Sequence, residues 1–189
     1  LAYTLAIADK SKKDIIVIRD RFGIKPGAVG FKGGRYCIAS EDIAIKNSQG
    51  GEFVEDLTPG AIYYLSNNGS YKKEKILEPR LKHCFFEWNY IAHVNSILDN
   101  ESVRSARVSL GEILSEEFRP NDADFVTYIP RCPETAARSY AAKTGIEFIE
   151  VFYKMRGERS FQGSTREERK QSIKENLYFL SDSKNKISG

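Results

Sequence analysis

The chain has 189 residues, 41% of them hydrophobic and 29% charged, with a formal net charge of +3. That composition suits one large folded domain or two small ones, and so slight a positive balance gives no case for a nucleic-acid partner, so none is expected. No apolar run approaches the roughly 20 residues of a bilayer span and no signal peptide is visible, so a cytoplasmic protein without membrane contact is expected. The cysteines Cys37, Cys84 and Cys132 are odd in number and far apart, which argues against a disulfide framework. The first residue, Leu1, already lies in a strand-like run and the last residues are polar, so a piece of a longer protein is expected.

Leu1–Asp9 and Asp14–Arg19 are apolar runs separated by Lys10-Ser11-Lys12-Lys13, which predicts a strand, a polar turn and a strand. RDRFGIKPG follows, and its Gly23, Pro26 and Gly27 mark a structured turn. Arg19 and Asp20 leave the strand as a charged pair suited to tying that turn to its neighbours. Val29–Phe31 and Arg35–Ser40 predict a hairpin around Gly33-Gly34. Glu41–Lys46 reads as a short helix with Ser40 as its N-cap. Pro59-Gly60 turns the chain into a strand over Ala61–Leu65, and Asn67-Asn68-Gly69 is a hairpin signal leading into Tyr71–Leu77. The expectation for this half is layered antiparallel sheet with no nucleophile–base pair and no cluster of metal ligands.

Three motifs here resemble class II glutamine amidotransferase domains: RDRFGIKPG, ASEDIAI and DLTPGAIYYL, in that order. Gly27 departs from the apolar residue usual at the end of the first. The resemblance implies an N-terminal-nucleophile hydrolase, a sandwich of two sheets between helices. Its spelling RDRFGIKP is nearest to asparagine synthetase, so the turn alone does not choose a family member.

Cys84–Arg107 is where the architecture changes. Its first half is dense in apolar bulk (Phe85, Phe86, Trp88, Tyr90, Ile91) and its second half, from Asn100, opens an amphipathic helix. Either two domains meet there, or a core strand precedes a surface helix of one domain. Val103, Ala106, Leu110, Ile113, Leu114 and Phe118 recur at helical spacing, predicting one apolar face over Glu101–Phe118. Phe125–Ile129 reads as a strand and Pro130–Thr135 as a tight loop. A helix with Pro133 in its first turn then runs to Lys143 and stops at Gly145. Ile146–Phe152 is a second strand. Strand, helix, strand implies a right-handed crossover and parallel pairing, with ligands beyond the carboxyl ends of the strands. The basic stretch Lys154–Gly163 falls at that edge; it reads as a solvated loop by composition and as a phosphate-binding loop by position. Thr165–Leu180 is a charged helical stretch ending in an apolar patch.

This half resembles the amidophosphoribosyltransferase family in CFFEWNY, SVRSAR, IPRCPET and FYKMRGERSF. Arg131 and Cys132 depart from its usual loop, Met155 and Gly157 replace Asn and Tyr in the basic stretch, and His93-Val94 stand where Arg-Pro is usual. Asparagine synthetase would need an S-G-G-x-D-S loop after the amidotransferase domain, and the sequence has none. The implied fold is α+β followed by α/β. Residues 1–100 would be the C-terminal part of an amidotransferase sandwich, and residues 101–189 the start of a phosphoribosyltransferase domain with its first βαβ unit.

The resemblance implies that ammonia from glutamine displaces pyrophosphate from phosphoribosyl pyrophosphate, in a homo-oligomer using magnesium. It links Thr135 to the magnesium and assigns Lys154, Arg156 and Arg159 to a loop that is mobile when free and closes over the diphosphate. The glutamine-hydrolysing N-terminal Cys is absent from this chain, so the chain alone is expected to be inactive. Cys84 aligns with the first ligand of a 4Fe-4S cluster in one branch of the family; as a residue it reads more simply as a small buried side chain. A non-catalytic binding module of the same fold and a different class II amidotransferase are the alternative readings.

Overall fold

Two antiparallel sheets share one core in the first half of the chain, in a computed structural model that describes residues 1–155, 162–183 and 187. The described structure divides into two compact units, Leu1–Ala106 and Arg107–Gly189.

In the first unit, β1 (Thr4–Asp9) and β2 (Asp14–Arg19) form the first expected hairpin. β6 (Ala61–Leu65) and β7 (Tyr71–Lys75) form another, and together they make a four-stranded sheet of order β1-β2-β6-β7. β3 (Ala28–Lys32), β4 (Arg35–Ala39) and β5 (Gly51–Asp56) make a second sheet of order β4-β3-β5. Strand alternation sends Val17, Ala61, Tyr63 and Leu65 of the first sheet and Val29 of the second into a core completed by Leu57. The opposite face of β1 leaves Leu5 and Ile7 exposed. α1 (Asp42–Lys46) packs its buried Ile45 over Gly30, where a Cβ would stand 2.4 Å from Ile45 Cγ2.

Several expectations need correction here. The N-cap of α1 is Glu41 rather than Ser40, and it makes no capping bond, because its carboxylate is turned to His93 and Ser96. β5 was not expected. Arg19 is paired not with Asp20 but with Asp99, 80 residues away. Asp20 instead accepts the backbone N–H groups of Tyr3 and Phe22, fixing the start of the turn.

The segment Cys84–Ile91 is not a core strand. Glu87–Ile91 forms a single π-helical turn that buries Glu87 and leaves Phe85 and Phe86 at 59% and 60% exposure. After it come β8 (Ile97–Leu98) and β9 (Glu101–Ser102), a small hairpin closed by Asp99-Asn100. Both turn residues have positive φ, 47° and 67°, the left-handed pair that two-residue hairpins require and that Asp and Asn tolerate. Helix α2 (Val103–Glu117) therefore starts two residues later than the periodicity suggests. Its apolar stripe is divided: Val103 is buried, while Ile113 and Leu114, and Phe118 just beyond its end, are exposed.

In the second unit, β10 (Phe125–Val126) pairs in parallel with β11 (Glu147–Phe148), and α3 (Glu134–Thr144) connects them. The strand–helix–strand unit and its parallel sense are as read from the sequence, but each strand is shorter than expected. The run Ile146–Phe152 is broken, and its end belongs to β12 (Phe152–Lys154). β12 pairs antiparallel with β13 (Leu177–Phe179), which is the apolar patch after α4 (Arg166–Asn176). α3 ends as expected at Gly145, which takes the left-handed conformation at φ 74°. No helix among the described residues is long and apolar enough to cross a membrane.

Candidate functional site

The turn RDRFGIKPG in the first unit is built around one guanidinium. Arg19 is 1% exposed, and all five of its N–H donors are used. Nε donates to the Lys25 carbonyl at 2.8 Å. One terminal nitrogen donates to the Leu57 carbonyl at 2.6 Å and to Asp99 Oδ1 at 2.7 Å. The other donates to the Gly23 carbonyl at 2.9 Å and to Asp99 Oδ2 at 2.7 Å. Gly23 has φ 63°, and its backbone can come so close to Pro59 only without a side chain. The same residue thus closes the turn and grips the Asp99-Asn100 hairpin. His83 Nε2 lies 3.4 Å from the other side of Asp99 and packs on the Trp88 ring. Lys25 Nζ meets the 3%-exposed Glu87 at 2.6 Å; that hydrogen bond, above all, raises the lysine pKa.

In the second unit the candidate site lies beyond the parallel strand β10. Pro133 caps α3 with helical backbone angles, and Thr135 is half-buried in the helix's first turn. Lys154 ends β12, half-buried, opposite Leu177. Arg131 Nη2 donates to the Lys154 carbonyl at 3.2 Å, which joins the Pro130–Thr135 loop to the point where the basic stretch begins. The expected edge therefore brings Lys154 and the Thr135 loop together. Arg156 and Arg159, and the expected motion of their loop, lie outside the described residues.

A side-chain clip, not anticipated from the sequence, holds α3 in place. Arg138 stacks 4.4 Å over the Phe148 ring and pairs with Glu134 and Glu150. Tyr128 stacks on the same ring, and burial raises its phenol pKa. The i,i+4 spacing of Glu134 and Arg138 was a usable signal; Phe148 of β11 and Glu150 just after it lie beyond the helix and were not.

Among the described residues no three His, Cys, Asp or Glu side chains group to hold a metal ion. At the head of α3, Glu134 is committed to Arg138, so the loop offers magnesium the Thr135 hydroxyl as one hard oxygen ligand and no carboxylate set. The cysteines fit a cluster less well. Cys84 is half-buried with its carbonyl bonded to the Glu87 N–H, and the three cysteines are unpaired thiols that do not gather into a ligand set.

No family model matches the chain. Its sequence is 37% identical over 163 residues to the amidophosphoribosyltransferase of Methanothermobacter thermautotrophicus, covering 86% of this chain and 34% of that protein. The enzymes of Pseudomonas aeruginosa and Drosophila melanogaster are 35% and 33% identical over 86% and 88% of the chain. Among solved structures, one described as the allosteric regulatory enzyme of purine biosynthesis matches with a TM-score of 0.73 and 29% identity, over 88% of this chain and 36% of that one. Glutamine phosphoribosylpyrophosphate amidotransferase from B. subtilis, complexed with ADP and GMP, matches with a TM-score of 0.72 at the same identity. By sequence and fold the chain is similar to these amidotransferases. Within that class its relatives are the amidophosphoribosyltransferases, and it spans about a third of the length of the curated relatives it matches.

Proposed function

We propose that the chain is the central part of an amidophosphoribosyltransferase, in which ammonia from glutamine displaces pyrophosphate from phosphoribosyl pyrophosphate. One observation carries the reading: the 37% identity runs over 163 residues, too long a match to fall within either unit alone. On this reading residues 1–100 close a class II amidotransferase domain of the N-terminal-nucleophile type. Residues 101–189 open the phosphoribosyltransferase domain. The parallel pairing of β10 and β11 supports the second assignment, and the two antiparallel sheets support the first.

The residues of this chain then bind and orient. Lys154, with Arg156 and Arg159, neutralises the diphosphate, whose oxygens suit guanidinium forks. Thr135 would supply one hydroxyl oxygen toward a magnesium ion, which when bound would supply charge stabilisation to the departing pyrophosphate. Cys84 could serve an iron–sulfur cluster only with further thiolates from the full-length protein, beyond this chain. The protein that carries the chain acts in the cytoplasm as a homo-oligomer.

The test uses the full-length protein supplied with glutamine, phosphoribosyl pyrophosphate and magnesium. Pyrophosphate and glutamate released in equal amounts support the proposal. Glutamate release without pyrophosphate, or neither product, overturns it.

A further inference from the structure

Glu41 and Asp42, adjacent in the ASEDIAI motif, reach across to the segment that leads into α2. Glu41 Oε2 accepts the His93 N–H at 2.8 Å and the Ser96 hydroxyl. Asp42, fully buried, accepts the Ile97 N–H at 2.9 Å through Oδ1, while its Oδ2 stays paired with Lys46 at 2.6 Å. The segment in turn holds the head of α2. The Ser96 carbonyl accepts the Val103 N–H at 3.0 Å, and Asn95 Oδ1 accepts from the Arg104 guanidinium at 2.6 Å. Arg19, bidentate on Asp99, fixes the tip of the hairpin between these two sets of bonds. Ser96 and Val103 are fully buried. A hairpin turned by left-handed Asp and Asn closes by its own chemistry. Contacts from 52 to 80 residues away therefore act on where it sits rather than on its shape. All these partners belong to the first unit, whereas α2 itself runs on past that unit's limit at Ala106.

We propose that Glu41 is a positioning residue for ammonia transfer: with Asp42 and Arg19 it seats residues 93–99, so that α2 leaves the first unit from a fixed start, and ammonia escapes when the seat is loosened. The inference rests on the function proposed above. Each ammonia freed by hydrolysis of the glutamine amide either displaces one pyrophosphate or reaches solvent. In solvent at neutral pH it is mostly protonated and no longer a nucleophile. Glutamate formed per pyrophosphate released therefore measures transfer itself. A variant that merely folds less well loses both products together and leaves that ratio unchanged. Glu41 is the group to change because it touches neither reaction centre of the proposal, and because both of its contacts fall on the single oxygen Oε2. An amide oxygen can accept both donors where a methyl group accepts neither.

The test uses the full-length protein with glutamine, phosphoribosyl pyrophosphate and magnesium, and a parallel assay with ammonium in place of glutamine. Glu41→Ala should raise glutamate per pyrophosphate at least about twofold, the effect on an equilibrium of the smallest net worth of one hydrogen bond. Its pyrophosphate release with ammonium should stay close to that of the unsubstituted protein. Glu41→Gln should return the two products to equal amounts. Hydrogen exchange over residues 93–97 should be faster in Glu41→Ala and nearly normal in Glu41→Gln. Faster exchange with products still in equal amounts makes the seat structural only and overturns the proposal. Unchanged exchange in Glu41→Ala, or a ratio raised as far in Glu41→Gln, overturns it too. Should Glu41→Ala fail to fold, Ser96→Ala, which removes one of the two donors, decides by the same criteria. No pyrophosphate release by the unsubstituted protein with ammonium overturns the proposed function itself, and this inference falls with it.

Discussion

Replacing Arg19 with Met removes the one group that closes the RDRFGIKPG turn and holds the hairpin before α2. The methionine fills part of the space but offers no donor. Three carbonyls, those of Gly23, Lys25 and Leu57, lose a partner, and Asp99, at 15% exposure, keeps His83 as its remaining ion-pair partner among the described residues. Breaking a buried ion pair from one side costs about 3–5 kcal/mol, because the remaining charge is stranded. The lost bonds to carbonyls act in the same direction, while His83 and residual hydration of Asp99 act against it, so about 3–5 kcal/mol is the expected loss. At roughly 2–4 °C per kcal/mol for a chain of this size, the melting midpoint should fall by about 6–20 °C. Urea unfolding followed by Trp88 fluorescence suits the measurement, because this sole tryptophan packs against Ala92, Leu98 and Val103, the cluster the hairpin completes. Adding Asp99→Asn to Arg19→Met removes the stranded charge, so the double variant should be less destabilised than the sum of the two single changes. A loss below about 1 kcal/mol in Arg19→Met, or strict additivity in the double variant, would refute the reasoning.

Gly30→Ala places a Cβ 2.4 Å from Ile45 Cγ2, 2.9 Å from Ile45 Cδ1 and 3.0 Å from the Glu52 carbonyl oxygen; it should cost about 1–3 kcal/mol, and Ile45→Val, which removes only Cδ1, should recover a minor part of this in thermal melts. Thr165→Ala breaks the capping box in which Thr165 Oγ1 accepts the Glu168 N–H at 3.1 Å. Helix α4 should lose about 1 kcal/mol, visible as faster amide exchange in Arg166–Glu175 with the rest of the chain unchanged.

The sequence yields the hairpins of the first unit almost residue for residue, because turn chemistry is local: Gly33-Gly34 and Asn67-Asn68-Gly69 each close the strands they were expected to close. The same locality explains the misses. CFFEWNYI has the aromatic richness of a strand, and nothing within it shows that Glu87 will be drawn inward by Lys25, 62 residues earlier. The Arg19–Asp99 pair spans 80 residues, so periodicity could not reveal it, although Asp-Asn directly after the apolar Ile97-Leu98 was a readable turn signal. The parallel strands β10 and β11 pair over two residues each, too short for any period-2 pattern to set their limits. At the candidate site, the resemblance named Lys154 and Thr135, and the fold draws their segments together through Arg131, a residue that had been noted only as a departure from the family pattern.

The central claim is that the second unit handles phosphoribosyl diphosphate, and Lys154 tests it most directly. In the full-length protein, Lys154→Ala and Arg159→Ala should each lower the rate of pyrophosphate release from phosphoribosyl pyrophosphate by at least about tenfold, the loss expected for a charge-assisted contact to a diphosphate. Basal hydrolysis of glutamine, measured in the same preparation, should stay close to that of the unsubstituted protein. If both variants release pyrophosphate at the unsubstituted rate and with unchanged KM for phosphoribosyl pyrophosphate, the basic stretch is ordinary solvated surface and the account is contradicted.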